Sequence, residues 1–175
     1  NDYHGIIARP GATPDLETVA GLLGRSRLSV NAWVGPARTG VARDTMMTVL
    51  PDEGFDAWYA ERRGTFGKYF KDKERARRSM ETELGPIRVE RGLRDPALLA
   101  HLLELKRDQY RRTARHDIFA CGWTMDLLHA LMQSGVDGFG GSMAALWAGD
   151  RLCAIEYSLT GGDQCHFWFP VYEPS

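Results

Sequence analysis

From residue 142 to residue 171 the chain alternates apolar and polar positions with the two-residue period of strands, interrupted at two glycine-containing turns. The pattern predicts strands at Ser142 to Ala148, Arg151 to Leu159 and Gln164 to Val171, joined at Gly149-Asp150 and Thr160-Gly161-Gly162-Asp163 as an antiparallel meander. Cys153, Ile155, Tyr157 and Leu159 form the more apolar face of the second strand; Cys165, Phe167, Phe169 and Val171 form that of the third. Matching these faces sets odd-numbered residues opposite odd, because a one-residue slip inverts a strand. The expected register places Glu156 opposite His166 across a loop from Thr160 to Gly162. The two-residue Gly149-Asp150 turn places Met143 opposite Glu156 and Trp147 opposite Leu152. One face then collects Met143, Trp147, Glu156, His166 and Trp168.

Upstream the period lengthens to that of helices. Thr13-Pro14 reads as a helix start, followed by Leu16, Val19, Ala20 and Leu23. Leu28 to Val34 and Thr45 to Leu50 read as paired strands around a Gly35 to Gly40 loop. Pro51 to Gly54 punctuates the chain and marks the expected boundary, with 1–53 as one region and 54–175 as another. A short helix from Phe55, a break at Gly64 and a longer helix ending at Gly85 follow, with Phe66, Phe70, Met80 and Leu84 as its stripe. Ile87 to Arg91 is a brief strand. Asp95-Pro96 opens a helix buried through Leu98, Leu99, Leu102 and Leu105, and Thr124 is the expected cap of another, with Trp123 stapled onto Leu128. The order is that of an α/β (α+β) domain whose helices cover a mostly antiparallel sheet.

Composition leaves this picture in place. With 175 residues, 43% hydrophobic and 26% charged, the chain has ordinary globular content. A formal charge of −1 gives no chain-wide attraction to nucleic acid or anionic membrane. Cys121, Cys153 and Cys165 show no metal-ligand spacing, so no metal site is expected and a reducing, cytoplasmic home is. No apolar run suggests membrane insertion.

The aromatic face carrying Glu156 and His166 suits acyl transfer, which needs a base for the proton of the attacking amine or hydroxyl. Either residue has the chemistry of that base. An ordinary cross-strand pair, contributing about 0.2–1 kcal/mol, accounts for the same pattern.

Three segments carry a family resemblance: Lys71 to Leu84, Leu105 to Thr113, and Ala154-Ile-Glu-Tyr-Ser-Leu159 followed by His166-Phe-Trp-Phe-Pro-Val-Tyr172. In this order they resemble the acetyltransferase domain of CelD-type cellulose biosynthesis proteins, and Asp2-Tyr3-His4-Gly5 is similar to a segment upstream in those proteins. The resemblance implies a GNAT-like fold, duplicated as in related peptidyltransferases, so that 1–53 would close a preceding half or link to it. It implies acetyl-CoA or another acyl-CoA as donor and a small-molecule or saccharide acceptor in polysaccharide or envelope metabolism, with polysaccharide synthase machinery as a partner. Glu156 and His166 fall where the family carries a carboxylate and an imidazole, with Trp147, Trp168, Tyr172 and Met143 lining the site. The family's Ser-Pro-Gly cofactor loop and following helix are expected just after Tyr172, and the sequence runs only to Ser175, so this cofactor-binding part of the fold is expected to be missing.

Two further readings stay open. Lys68 to Arg78 holds six basic and two acidic residues, and Lys106 to Arg115 is also basic, which suits solvated helix faces, phosphate contacts, or an aminoacyl-tRNA-dependent peptidyltransferase. A non-catalytic binding module of a synthase complex is the other. Gly138 to Gly141 is expected as a flexible lead-in to the meander, and His116-Asp117 as a helix-ending loop.

Overall fold

The computed structural model describes residues 4–12, 14–30, 33–35 and 48–173, and the chain divides into two compact units, 1–50 and 51–175. In the first unit, α1 (Leu16–Leu22) is capped by Asp15, whose carboxylate accepts from the Thr18 amide at 2.8 Å. The helix thus starts beyond Pro14, and Thr13 lies outside the described residues. Trp33 and His4 form an isolated parallel bridge, while Leu28 to Val30 and Thr48 to Leu50 carry no strand pairing. The expected strand residues 31–32 and 45–47, the loop 36–40 and the Asp2-Tyr3 segment lie outside the described residues.

The second unit opens with a helical hairpin, α2 (Phe55–Thr65) and α3 (Gly67–Leu84). Its break falls at Phe66, two residues beyond the expected Gly64, where the backbone leaves helical geometry. Tyr59 meets Phe70 edge-on at 5.1 Å, and Arg63 and Tyr59 both bond Glu74. The expected apolar stripe of α3 is not a buried one: no residue of the helix is buried, and Phe66 is 51% exposed.

The remainder follows the predicted order: β1 (Ile87–Leu93), α4 (Pro96–Arg112), a short 3-10 turn at Ile118–Ala120, α5 (Gly122–Met132), β2 (Phe139–Ala148), β3 (Arg151–Gly161) and β4 (Gln164–Tyr172). The strands form one antiparallel sheet in the order β1-β2-β3-β4. Asp95 caps α4 through the Ala97 amide, with Pro96 at the first helical position where no donor is needed. Thr124 does not cap α5. It lies inside the first turn and donates its hydroxyl to the Ile118 and Cys121 carbonyls, while Trp123 is 67% exposed.

Leu99, Leu102 and Leu103 of α4 and Leu128 and Met132 of α5 pack on one sheet face against Met143, Ile155, Tyr157, Phe169 and Val171. Full burial of each such side chain contributes roughly 1.5–3 kcal/mol. Gly140 and Gly141 are not a flexible lead-in but paired residues of β2, opposite Thr160 and Leu159. A Cβ on Gly141 would lie 1.8 Å from Tyr157 Oη, so this glycine makes room for the phenol that donates to the Leu128 carbonyl at 2.9 Å.

Candidate functional site

Two bulges decide which side chains share a face. On β4, Trp168 is an extra residue: Ile155, Glu156 and Tyr157 stand opposite Val171, Pro170 and Phe169, whereas Ser158 and Leu159 stand opposite Phe167 and His166. On β3, Cys153 is extra, so Met143 faces Tyr157 and Ala144 faces Glu156, while Trp147 faces Leu152 as expected. The β3–β4 turn is also tighter than expected, with Gly161 paired to Gln164 and Gly162 at φ +61°. Glu156 therefore lies opposite Pro170, not His166, and opposite Ala144, not Met143.

Directly opposed residues lie on the same face, and successive residues alternate. His166, through Leu159, belongs to the helix-covered face. There its ring lies 6.2 Å from that of Trp168, which stacks on Phe169 at 5.1 Å and packs against the core. Met143, 1% exposed, and Trp147, opposite the core-packed Leu152, are on this face too. The Arg88 guanidinium sits 5.3 Å from the Trp147 ring, and the buried Trp147 indole nitrogen has no hydrogen-bond partner among the described residues. Of the five other residues expected to share a site with Glu156, only Tyr172 lies on its face. Tyr172 stands opposite Ala154, one step along the sheet from Glu156, and is 71% exposed.

The Glu156 face has its own walls. Phe167 and Val89 on it are 69% and 48% exposed, and Ser158, 9% exposed, sits between Glu156 and Thr160 on β3. Partial burial pushes the Glu156 carboxyl above its ordinary pKa, because removing water penalises the anion. On the other face, burial pushes the Tyr157 phenol up to about 12, with nearby Arg94 acting in the opposite direction.

The outer edge of β4 is shaped by α4. The Glu173 amide donates to the Cys153 carbonyl at 3.0 Å, which makes the alternate positions Tyr172 and Pro170 point their main-chain groups away from β3. Pro170, lacking an amide hydrogen, is therefore tolerated there. Lys106 Nζ donates to the outward Pro170 carbonyl at 3.0 Å, and burial lowers the lysine's pKa. His101 of α4 contacts Glu173 closely, fastening the helix to the strand's end.

Sequence reasoning missed Phe167, Pro170, Ser158 and Lys106. Pro170 held the available signal, since a proline inside a strand pattern marks an edge strand or a bulge. His116-Asp117 is a loop as expected, and its aspartate also holds neighbouring elements in place: Asp117 caps the 3-10 turn through the Phe119 amide and bonds Arg107 at 2.8 Å. Burial opposes its ionisation, yet these bonds hold its pKa below the ordinary value. Among the described residues no group of three or more His, Cys, Asp or Glu is placed to hold a metal, and no helix is long and apolar enough to cross a membrane.

A four-stranded antiparallel sheet with helices packed against one face is a mixed α/β arrangement consistent with a GNAT-like fold. The family model of the acetyltransferase (GNAT) domain matches residues 67–175, more than half of the chain, and the chain belongs to that family. No curated protein and no solved structure matches it. GNAT domains use acyl-CoA as co-substrate. The outward main-chain groups of Tyr172 fit that ligand's amide-bearing arm, which can pair with a strand edge as another strand does.

Proposed function

We propose that this chain carries an acyl-CoA-dependent N- or O-acyltransferase in which Glu156 is the general base. The observation that carries the reading is Glu156 itself, a partly buried carboxyl with raised proton affinity on the open sheet face. A general base works best with a pKa near the operating pH, and partial desolvation moves a carboxyl in that direction. Glu156 accepts the proton of the acceptor's amine or hydroxyl. Phe167, Pro170 and Tyr172 limit water around it, and the outward backbone of Tyr172 holds the donor's arm. Acyl-CoA, when bound, supplies the activated acyl carbonyl. His166 lies on the opposite face from Glu156 and has no part in this step.

The CelD-type resemblance of Lys71 to Leu84, Leu105 to Thr113 and the β3–β4 segments supports an acetyl donor and a saccharide or other small acceptor in polysaccharide or envelope metabolism. The same resemblance supports a cytoplasmic setting, work beside a polysaccharide synthase, and residues 1–53 as the end of a preceding half or the link to it.

Acyl transfer from acetyl-CoA, followed by thiol release with a panel of amino and hydroxyl acceptors, tests the assignment. Glu156→Gln is expected to lower kcat by about 10²–10⁴-fold. His166→Ala should stay within a few-fold of the wild type. Wild-type turnover by the Glu156→Gln protein would refute the role of Glu156.

A further inference from the structure

The Glu156 face does not end at Glu156. Along β3 the same face continues through Ser158 to Thr160, and across on β2 it continues from Ala144 to Ser142, the partner of Ser158. At a strand rise of about 3.3 Å per residue, Ser158 lies roughly 7 Å and Thr160 roughly 13 Å from Glu156. Both hydroxyl-bearing residues at the far end, Ser142 and Thr160, line a groove of about 450 Å³ with Arg94, Ser134, Asp137 and the glycine-rich turn ending at Gly140. Ser142 and Thr160 are therefore common to the Glu156 side of the strands and to the lining of this groove.

The groove is built around backbone and one cation. A Cβ on Gly140 would sit 3.0 Å from the Leu131 carbonyl and 3.6 Å from an Arg94 guanidinium nitrogen, so the missing side chain leaves room for the arginine. Among the described residues Arg94 forms no ion pair, unlike Arg63, Arg107 and Arg111, which are paired to Glu74, Asp117 and Asp108. Its planar fork suits an oxyanion, and the Ser142 and Thr160 hydroxyls add neutral donors. Asp137, on the opposite side of the balance, weakens an anion that lacks a hydrogen of its own to donate.

We propose that this groove is the acceptor's recognition subsite, taking a carboxylate or phosphate group carried about 7–13 Å from the nucleophilic atom at Glu156. The proposal rests on the acyltransferase reading for its link to Glu156, but the anion site itself is independent of turnover.

Two measurements on the full chain separate them. In the first, inorganic phosphate and acetate are titrated separately while the amide resonances of Gly138, Gly140 and Thr160 are followed. Saturable shifts at these residues are expected from at least one anion, weakened about tenfold or more in Arg94→Gln and strengthened in Asp137→Asn. Shifts that are absent, or identical in Arg94→Gln, overturn the subsite. In the second, acetyl transfer is measured to ω-amino carboxylates, ω-aminoalkyl phosphates and matched amino alcohols of increasing length. The charged series are expected to show the lower KM at the matching span, the better of the two naming the anion, and Arg94→Gln should reduce that preference about tenfold to a hundredfold. Indifference of KM to the charged group overturns the subsite even where turnover depends on Glu156. Phosphate shifts without any acetyl transfer would leave an anion-binding groove and overturn both its role as acceptor subsite and the acyltransferase reading.

Discussion

Replacing Gly141 by alanine tests the packing on which both sheet faces depend. Gly141 has strand geometry, where alanine by itself would gain about 0.5–1 kcal/mol over glycine. The added Cβ, however, would meet Tyr157 Oη at 1.8 Å and Cζ at 2.5 Å, and Tyr157 is fully buried. The ring must move. Overpacking of this kind destabilises by about 1–3 kcal/mol, and separating the phenol from the Leu128 carbonyl leaves buried polar groups unpaired, at about 1–3 kcal/mol more. The net expectation is a loss of about 1–5 kcal/mol, or roughly 4–20 °C in Tm at about 4 °C per kcal/mol for a domain of this size. Urea and thermal denaturation of Gly141→Ala, Tyr157→Phe and the double variant measure it. Tyr157→Phe removes the closest contact, so the two changes should be non-additive, the double variant losing less than the sum. A Gly141→Ala protein within about 0.5 kcal/mol of wild type would refute the reasoning.

Two stability measurements address other parts of the molecule. Because burial raises the Glu156 pKa, the folded protein holds that proton more tightly than the unfolded chain, so stability falls as pH rises from the ordinary carboxylate value through the raised one. Glu156→Gln should therefore be the more stable protein at neutral pH, with the difference vanishing in acid; parallel curves from pH 3 to 8, a range of about five units around the carboxylate pKa, would count against the desolvated site. Asp95→Ala should lose about 1 kcal/mol by removing the cap of α4, and Asp95→Ser should recover most of it; equal losses in both would show that the cap bond contributes nothing.

The helices and the meander were legible because local signals are strong there. Asp95-Pro96 starts α4 where cap chemistry requires, and Gly149-Asp150 forms the two-residue turn that its glycine, at φ +57°, permits. The buried side of β3 was legible as well: Ile155 and Tyr157 are 1% and 0% exposed. Face assignment on β4 failed because alternation assumes one residue per pleat, and Trp168 adds one. Phe167 is apolar and in phase with Phe169 in the sequence pattern, yet it is 69% exposed. A bulge depends on contacts from other elements, here the β3 ring of Tyr157 beside Trp168 and the α4 lysine bond to Pro170, which no local pattern records. The α3 stripe failed for a related reason, since periodicity announces an apolar side without saying what covers it.

The Trp168 bulge also separates two properties of the outer strand that could otherwise change only together. Pairing on either side of it is complete without Trp168, so the strand can gain or lose that one residue while every other partner is kept. Curvature at this edge is thus a trait that a single-codon insertion or deletion adjusts, and variation in the length of β4 at this position is a route by which descendants of the sequence can reshape the edge beside Glu156 while every strand pair is kept.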